Sequence, residues 1–373
     1  MLCNPMVLAD MHLSIILWSL VVFPVFVCAS DHAASFEWSE WGANVLNNRW
    51  SQSKSAIDSF NAGNLKESCV LQYFKGVSAP PAISGGIAYF PTWDCQFVAL
   101  DYENCQVLWN ISVVDIVTGF APLTALQTTL TAAVSRSTPQ IDGSILYFTT
   151  LAHALLVAID YRTGALLAVM QINPHELATL TMSPTFYKGK IFVGSSSQEE
   201  AAAGLVPGYS CCSLVGNMAA IEFNKGTRNF NVIWNVSMIL EGPTVPGWSG
   251  VGVWGSQLSI DESRSQVFVT TGNVCSVPLE YESCLTDSGS NNQSCLPNGV
   301  LQEAVIAFNI DTGAIRWLRI VSPLDAWTLA CGLATGGTSV LHNPAICPGT
   351  PGPDADFGMA PTFVPGSKWT PNG

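Results

Sequence analysis

The chain has 373 residues, of which 48% are hydrophobic and only 11% charged, with a net charge of −13. Such a composition supports a large core in one or two domains and excludes a chain without fixed structure. The acidic balance argues against nucleic acid or an anionic membrane as the main partner, because both are met by clustered Lys and Arg.

Taken in chain order, residues 1–29 read as a signal peptide. Leu13 to Val27 is almost wholly apolar, and Val27-Cys28-Ala29 offers small residues for cleavage before Ser30. The flank Met1 to His12 has no Lys or Arg and carries Asp10, so an uncleaved signal anchor is the other reading, and the one that would bring a membrane into play. Residues 30–373 then form the folded part. Three Asn-X-Ser sequons, at Asn110, Asn235 and Asn292, fit glycosylation in the secretory route. With the leader they point to a secreted protein, where cysteines become bridges. Cys284 with Cys295, and Cys331 with Cys347, each flank a polar or Pro/Gly-rich excursion and suit loop staples; spacing alone does not settle the pairing.

A repeat runs through the rest. Its first copy spans Pro81 to Phe90, Phe97 to Asp101 and Val107 to Trp109. A second runs from Pro139 to Phe148, then Val157 to Asp160 and Thr163-Gly164. The third starts at Pro184 and ends at Ile233-Trp234; the fourth runs from Leu258 through Asn309 and Thr312-Gly313 to Trp317. A fifth is expected to start at Pro361. Each unit reads as two hairpins, hence four antiparallel strands, with the Trp free to dock against the next unit. This predicts an all-β propeller rather than a β-sandwich. Leu123 to Ala133 suits a short helix or an inter-blade loop. The inserts Glu199–Ser210 and Cys275–Gly299 lack strand alternation, and inserts of that length are often functional.

The Ala-X-Asp/Asn-X-X-Thr-Gly-X-X-X-Trp core resembles the pyrroloquinoline quinone (PQQ) repeat of the quinoprotein dehydrogenases, closest to the polyvinyl-alcohol-dehydrogenase-like branch with its plant-type members. Carrying the resemblance, besides the repeat, are Ser135 to Pro139, Gly194 to Glu200, Cys211-Cys212, Val253 to Ser256, Thr271-Gly-Asn273, Asp325-Ala-Trp327, Pro353 to Gly358 and the opening Trp41 to Arg49. It implies a quinoprotein alcohol dehydrogenase-like β-propeller of eight blades, incomplete here at about four to five. Because the ending Trp369 to Gly373 falls inside a repeat, truncation at the C-terminus is expected. It further implies an oxidoreductase that passes hydride from an alcohol or polyol to PQQ held by calcium, with an electron acceptor that the sequence does not identify. The truncation, Val215 and the lack of a recognisable electron-transfer module count against activity in this chain.

The same resemblance implies the site. Glu199, with Glu200 a close second, and Asn273 match the calcium ligands. Asp325 matches the base and lies next to the ion. Trp254 matches the ring beneath the flat cofactor, and Arg136 suits one of its carboxylates, with Ser183 as a hydrogen-bonding companion. Cys211 and Cys212 match a vicinal disulfide on the other cofactor face, although such a pair elsewhere precedes the Glu, and two separate bridges are the alternative. Asp354 and Asp356 read as a surface turn. Val215 stands where the family has an Arg before Gly. A non-catalytic propeller that binds or scaffolds is the second reading.

Overall fold

The structure, a computed structural model, describes residues 37–51, 57–240, 247–281, 284, 295–332, 343, 346–347 and 351–366. The expected signal peptide and the sequon at Asn292 lie outside these residues.

Each of the first four repeats folds as one antiparallel sheet of four strands in sequential order. Blade one comprises Ala82–Ser84, Ile87–Pro91, Gln96–Asp101 and Gln106–Ser112. Blade two comprises Gln140–Asp142, Ile145–Thr149, Leu155–Asp160 and Leu166–Gln171. Blade three follows with Thr185–Tyr187, Lys190–Gly194, Asn217–Asn224 and Asn229–Ser237. Blade four has Ser259–Asp261, Gln266–Thr270, Ala304–Asn309 and Ile315–Ile320. The expected fifth start differs: Pro361 to Val364 is not a strand. There Phe363 donates its N–H to Leu46 O at 2.9 Å, and the Thr362 hydroxyl donates to Asn47 O at 2.9 Å.

The repeat motif has a local physical cause. Asp160 Oδ1 accepts the N–H groups of Arg162 and Thr163 and the Thr163 hydroxyl, all at 3.0 Å. Asn309 Oδ1 does the same for Asp311 and Thr312. The Asp/Asn therefore closes an Asx turn that carries the chain into the outer strand. In all four blades the pairing of the last two strands shifts register just after an Ala: Ala99, Ala158, Ala220 and Ala307. Opposite that Ala stands Trp109, Trp234 or Trp317, with Ala168 in blade two. The glycines of the Thr-Gly turns, Gly164 at φ +71° and Gly313 at φ +69°, take left-handed backbone, and a Cβ on either would collide with Trp109 or Trp234 of the preceding blade. Each of those indoles also donates Nε1–H to that turn, at Tyr161 O and Ile310 O respectively.

The cores lie between blades. In blade two Leu146 and Phe148 face blade one, where Phe148 stacks on Phe97 with ring centres 4.5 Å apart. Ile145 and Tyr147 face Ile191 and Val193 of blade three, and Phe192 turns instead toward Val267 and Phe308 of blade four. This two-residue alternation, with both faces covered, is why the middle strands read as unbroken apolar runs.

Residues 113–130 form a helical insert, with helices at Val113–Phe120 and Ala125–Leu130, the second opened by a Thr124–Gln127 capping box. Both expected staples are bridges, Cys284–Cys295 and Cys331–Cys347, and a further bridge joins Cys69 to Cys105.

The segment 38–49 ties blade one to blade four, from the Trp38–Ile83 bridge to Ile260 N–H on Val45 O at 2.7 Å. Within it Glu40 is buried, and among the described residues its side chain accepts from the Gln257 amide. Burial pushes the Glu40 carboxyl from 4.5 up to about 7, against the lowering effect of Gln257. A folded-state value above the unfolded one means that the fold loses stability as pH rises between these two values. Glu40→Gln is therefore expected to stabilise the protein at pH 8, by up to about 3 kcal/mol, and to leave it nearly unchanged at pH 4. Denaturant titrations of both forms at the two pH values measure this.

Candidate cofactor and metal site

A cavity of about 400 Å³ opens where the loops of blades two, three and four meet. Arg136 enters from the loop before blade two, and Ser196, Ser197, Gln198 and Glu200 follow the second strand of blade three. Trp254 comes from the loop before blade four, Gly272 and Asn273 follow that blade's second strand, and Asp354 and Asp356 close the far side.

Glu199 and Glu200 open the helix Glu199–Leu205. Successive helical residues point about 100° apart, so the two carboxylates diverge. Glu199, 1% exposed, turns away from the cavity. Its oxygens accept the N–H of Leu214 at 2.7 Å, the N–H of Ser213 at 3.0 Å and the Tyr209 hydroxyl at 2.8 Å. Glu200 points into the cavity and accepts the Cys275 thiol at 3.6 Å. Burial, then Asp356 and Asp354, push the Glu200 carboxyl from 4.5 up to about 8.

Asn273 is fixed from both sides. Its amide hydrogens go to Val274 O at 3.2 Å and Trp327 O at 3.1 Å, and its N–H goes to Asp356 Oδ1 at 2.6 Å. The side-chain carbonyl on the cavity wall accepts no hydrogen bond among the described residues. Gly272 is required beside it, because a Cβ there would collide with the Asp356 carboxylate.

Asp354 and Asp356, read from sequence as a surface turn, line the cavity instead. Their loop folds back over Asp325, whose carboxylate accepts Ala355 N–H at 2.9 Å and Asp354 N–H at 3.4 Å. Asp325 is buried beneath the loop and does not line the cavity. Burial, then Asp356 and Asp325, raise the Asp354 carboxyl to about 6; burial first also raises Asp356. Burial and neighbouring Asp325 push up Glu303, a residue the sequence did not single out.

Of the other expected residues, Arg136 and Trp254 line the cavity, Arg136 as its one cationic side chain among the described residues. Ser183 is buried behind the wall, where its hydroxyl oxygen accepts Thr138 N–H at 3.0 Å. Cys211 and Cys212 are bonded to each other across a cis peptide bond, in the loop that Glu199 fastens and outside the cavity lining. Val215, at the place of the absent Arg, pairs through its backbone with Gly250.

The donors that converge on the cavity are oxygens, which suits a hard cation such as calcium. Carboxyl groups raised by burial and by one another are what such a site leaves when no positive charge balances it. Among the described residues no three Asp, Glu, His or Cys side chains form a metal-holding group by themselves.

No protein-family model matches the chain. It is 25% identical over 343 residues to the polyvinylalcohol dehydrogenase of Sphingopyxis sp. (strain 113P3), covering 89% of this chain and 46% of that protein. It is 24% identical over 312 residues to the quinohemoprotein alcohol dehydrogenase ADH IIB of Pseudomonas putida, covering 79% of this chain and 41% of that protein. The solved quinohemoprotein alcohol dehydrogenase ADHIIG of Pseudomonas putida HK5 superposes with a TM-score of 0.58 at 20% identity, over 79% of this chain and 41% of that one. The chain thus spans less than half the length of these relatives, and the structural likeness bears out the propeller-blade fold.

Proposed function

We propose that this chain, a relative of polyvinylalcohol dehydrogenase and the quinohemoprotein alcohol dehydrogenases, holds calcium and PQQ in the cavity and oxidises an alcohol or polyol outside the cell. The observation that carries this reading is one cavity combining an aromatic face, a lone cation and a set of mutually repelling oxygen donors. Glu200 and the Asn273 carbonyl are the protein's ligands for the ion, with Asp356 behind Asn273. Trp254 supports one face of the flat ring system, and the Arg136 fork meets a carboxylate on its edge. When bound, the quinone accepts hydride from the alcohol carbon, its carbonyl polarised by the cation.

The chain's own part in the reaction is to place the alcohol and take its proton. Asp354, at the cavity wall, is the base in this reading. Asp325, expected from the sequence as base and ligand, holds the loop that presents Asp354.

The test is to supply calcium and PQQ to the purified protein, follow cofactor absorbance, and measure dye reduction with simple alcohols. Saturable PQQ binding with alcohol-dependent dye reduction is the expected result. No PQQ uptake at saturating calcium overturns the proposal, and uptake without dye reduction moves it to the binding-protein reading.

A further inference from the structure

We infer that Glu199 is a positioning residue which sets the spacing between Glu200 and Asn273. The inference rests on the cation reading above for its ligands, and on backbone geometry for its mechanism. Glu199 sits at the head of the same helix as Glu200 and accepts both Ser213 N–H and Leu214 N–H. The next peptide units pass that hold onward. Leu214 O accepts Gly250 N–H at 2.7 Å, and Gly250 O accepts Gly216 N–H at 2.9 Å. Val251 N–H then reaches Asn273 O at 2.7 Å, and Gly272 N–H reaches Gly252 O at 2.9 Å. One buried carboxylate thereby links the helix that bears Glu200 to the wall that bears Asn273.

Further polar groups surround Glu199, with His175 Nε2 at 3.6 Å from its Oε1. His175 Nδ1 accepts Leu177 N–H at 3.2 Å, so its Nε2 carries the hydrogen and donates to the Ser213 oxygen at 3.0 Å. With Nε2–H a donor, this histidine cannot take a proton from Ser213, which excludes a serine-nucleophile triad despite the Ser–His–Glu proximity. Tyr209 closes the remaining side of the carboxylate.

The test uses the cation-free protein and two variants, Glu199→Gln and Glu200→Gln, with calcium binding read by calorimetry and amide exchange read by residue. In Glu199→Gln only the single amide oxygen can accept, and the NH₂ that replaces the other oxygen is set against backbone N–H donors. Exchange is expected to speed up by at least about tenfold at Ser213 and Leu214, and also at Val251 and Gly272, while calcium binding weakens by about 10- to 100-fold. Glu200→Gln should lose calcium more severely with all four amides still protected. Equal loss of calcium in the two variants with Ser213 and Leu214 protected would make Glu199 a ligand and overturn the inference. So would release of Ser213 and Leu214 with Val251 and Gly272 unchanged. Absence of calcium binding in the parent protein refutes the cation reading alone, since the four amides still decide the linkage. Should Glu199→Gln fail to fold, Glu199→Asp, one methylene short, carries the same comparison.

Discussion

Replacing Asp354 by asparagine is expected to lower alcohol turnover by about 10²- to 10⁴-fold, the usual cost of removing a general base. Asp354 is the carboxylate that both lines the cavity and has its own N–H held from behind, by Asp325. Asparagine keeps the size and the backbone bond but cannot accept the alcohol proton. Cofactor uptake should stay within about tenfold of the parent, because Glu200 and Asn273 are untouched. Asp325→Asn is the matching control. Its remaining carbonyl can still accept Ala355 N–H, so its effect should be smaller. If steady-state assays on loaded protein give the reverse order, the base is Asp325, as the family resemblance implies.

Glu200→Gln should weaken calcium binding by more than about 100-fold and remove the share of its pH dependence that Glu200 contributes below about 8. The sign follows from the raised Glu200 value of about 8 in the cation-free protein. Below that pH the group holds a proton that calcium must displace, so affinity falls about tenfold per pH unit on the acid side. Calorimetry at pH 6.5 in two buffers of different ionisation heat should show release of about one proton in the parent and none from this group in the variant. Without the cation, the same shift makes the fold lose stability as pH climbs from 4.5 toward about 8, and calcium should restore it. An affinity that does not change between pH 6 and 8 would remove Glu200 from the ligand set.

The sequence by itself determined the blades. The Asx turn at Asp160 or Asn309, the left-handed Gly164 or Gly313 and the docked Trp109 or Trp234 act within one hairpin or on its immediate neighbour. Interactions of that range leave a periodic trace that can be read before any fold is known. The two loop staples were legible because each bridge closes a short excursion, 11 residues apart for Cys284–Cys295 and 16 for Cys331–Cys347. Arg136, Trp254 and Asn273, singled out through the family resemblance, do line the cavity.

What only the tertiary structure decided was which of two neighbouring carboxylates faces the cavity. Glu199 and Glu200 have the same chemistry, and their directions depend on where the helix begins and on which donors surround it. Which of Asp325 and Asp354 faces the cavity is decided in a similar way, because a loop 29 residues further along the chain lies across Asp325 and carries Asp354 to the wall. Glu40 is buried by contacts with Gln257, 217 residues away. Local sequence sets which backbone shapes are available; the direction and charge state of a side chain are set by whatever the fold brings against it, and no nearby residue encodes that.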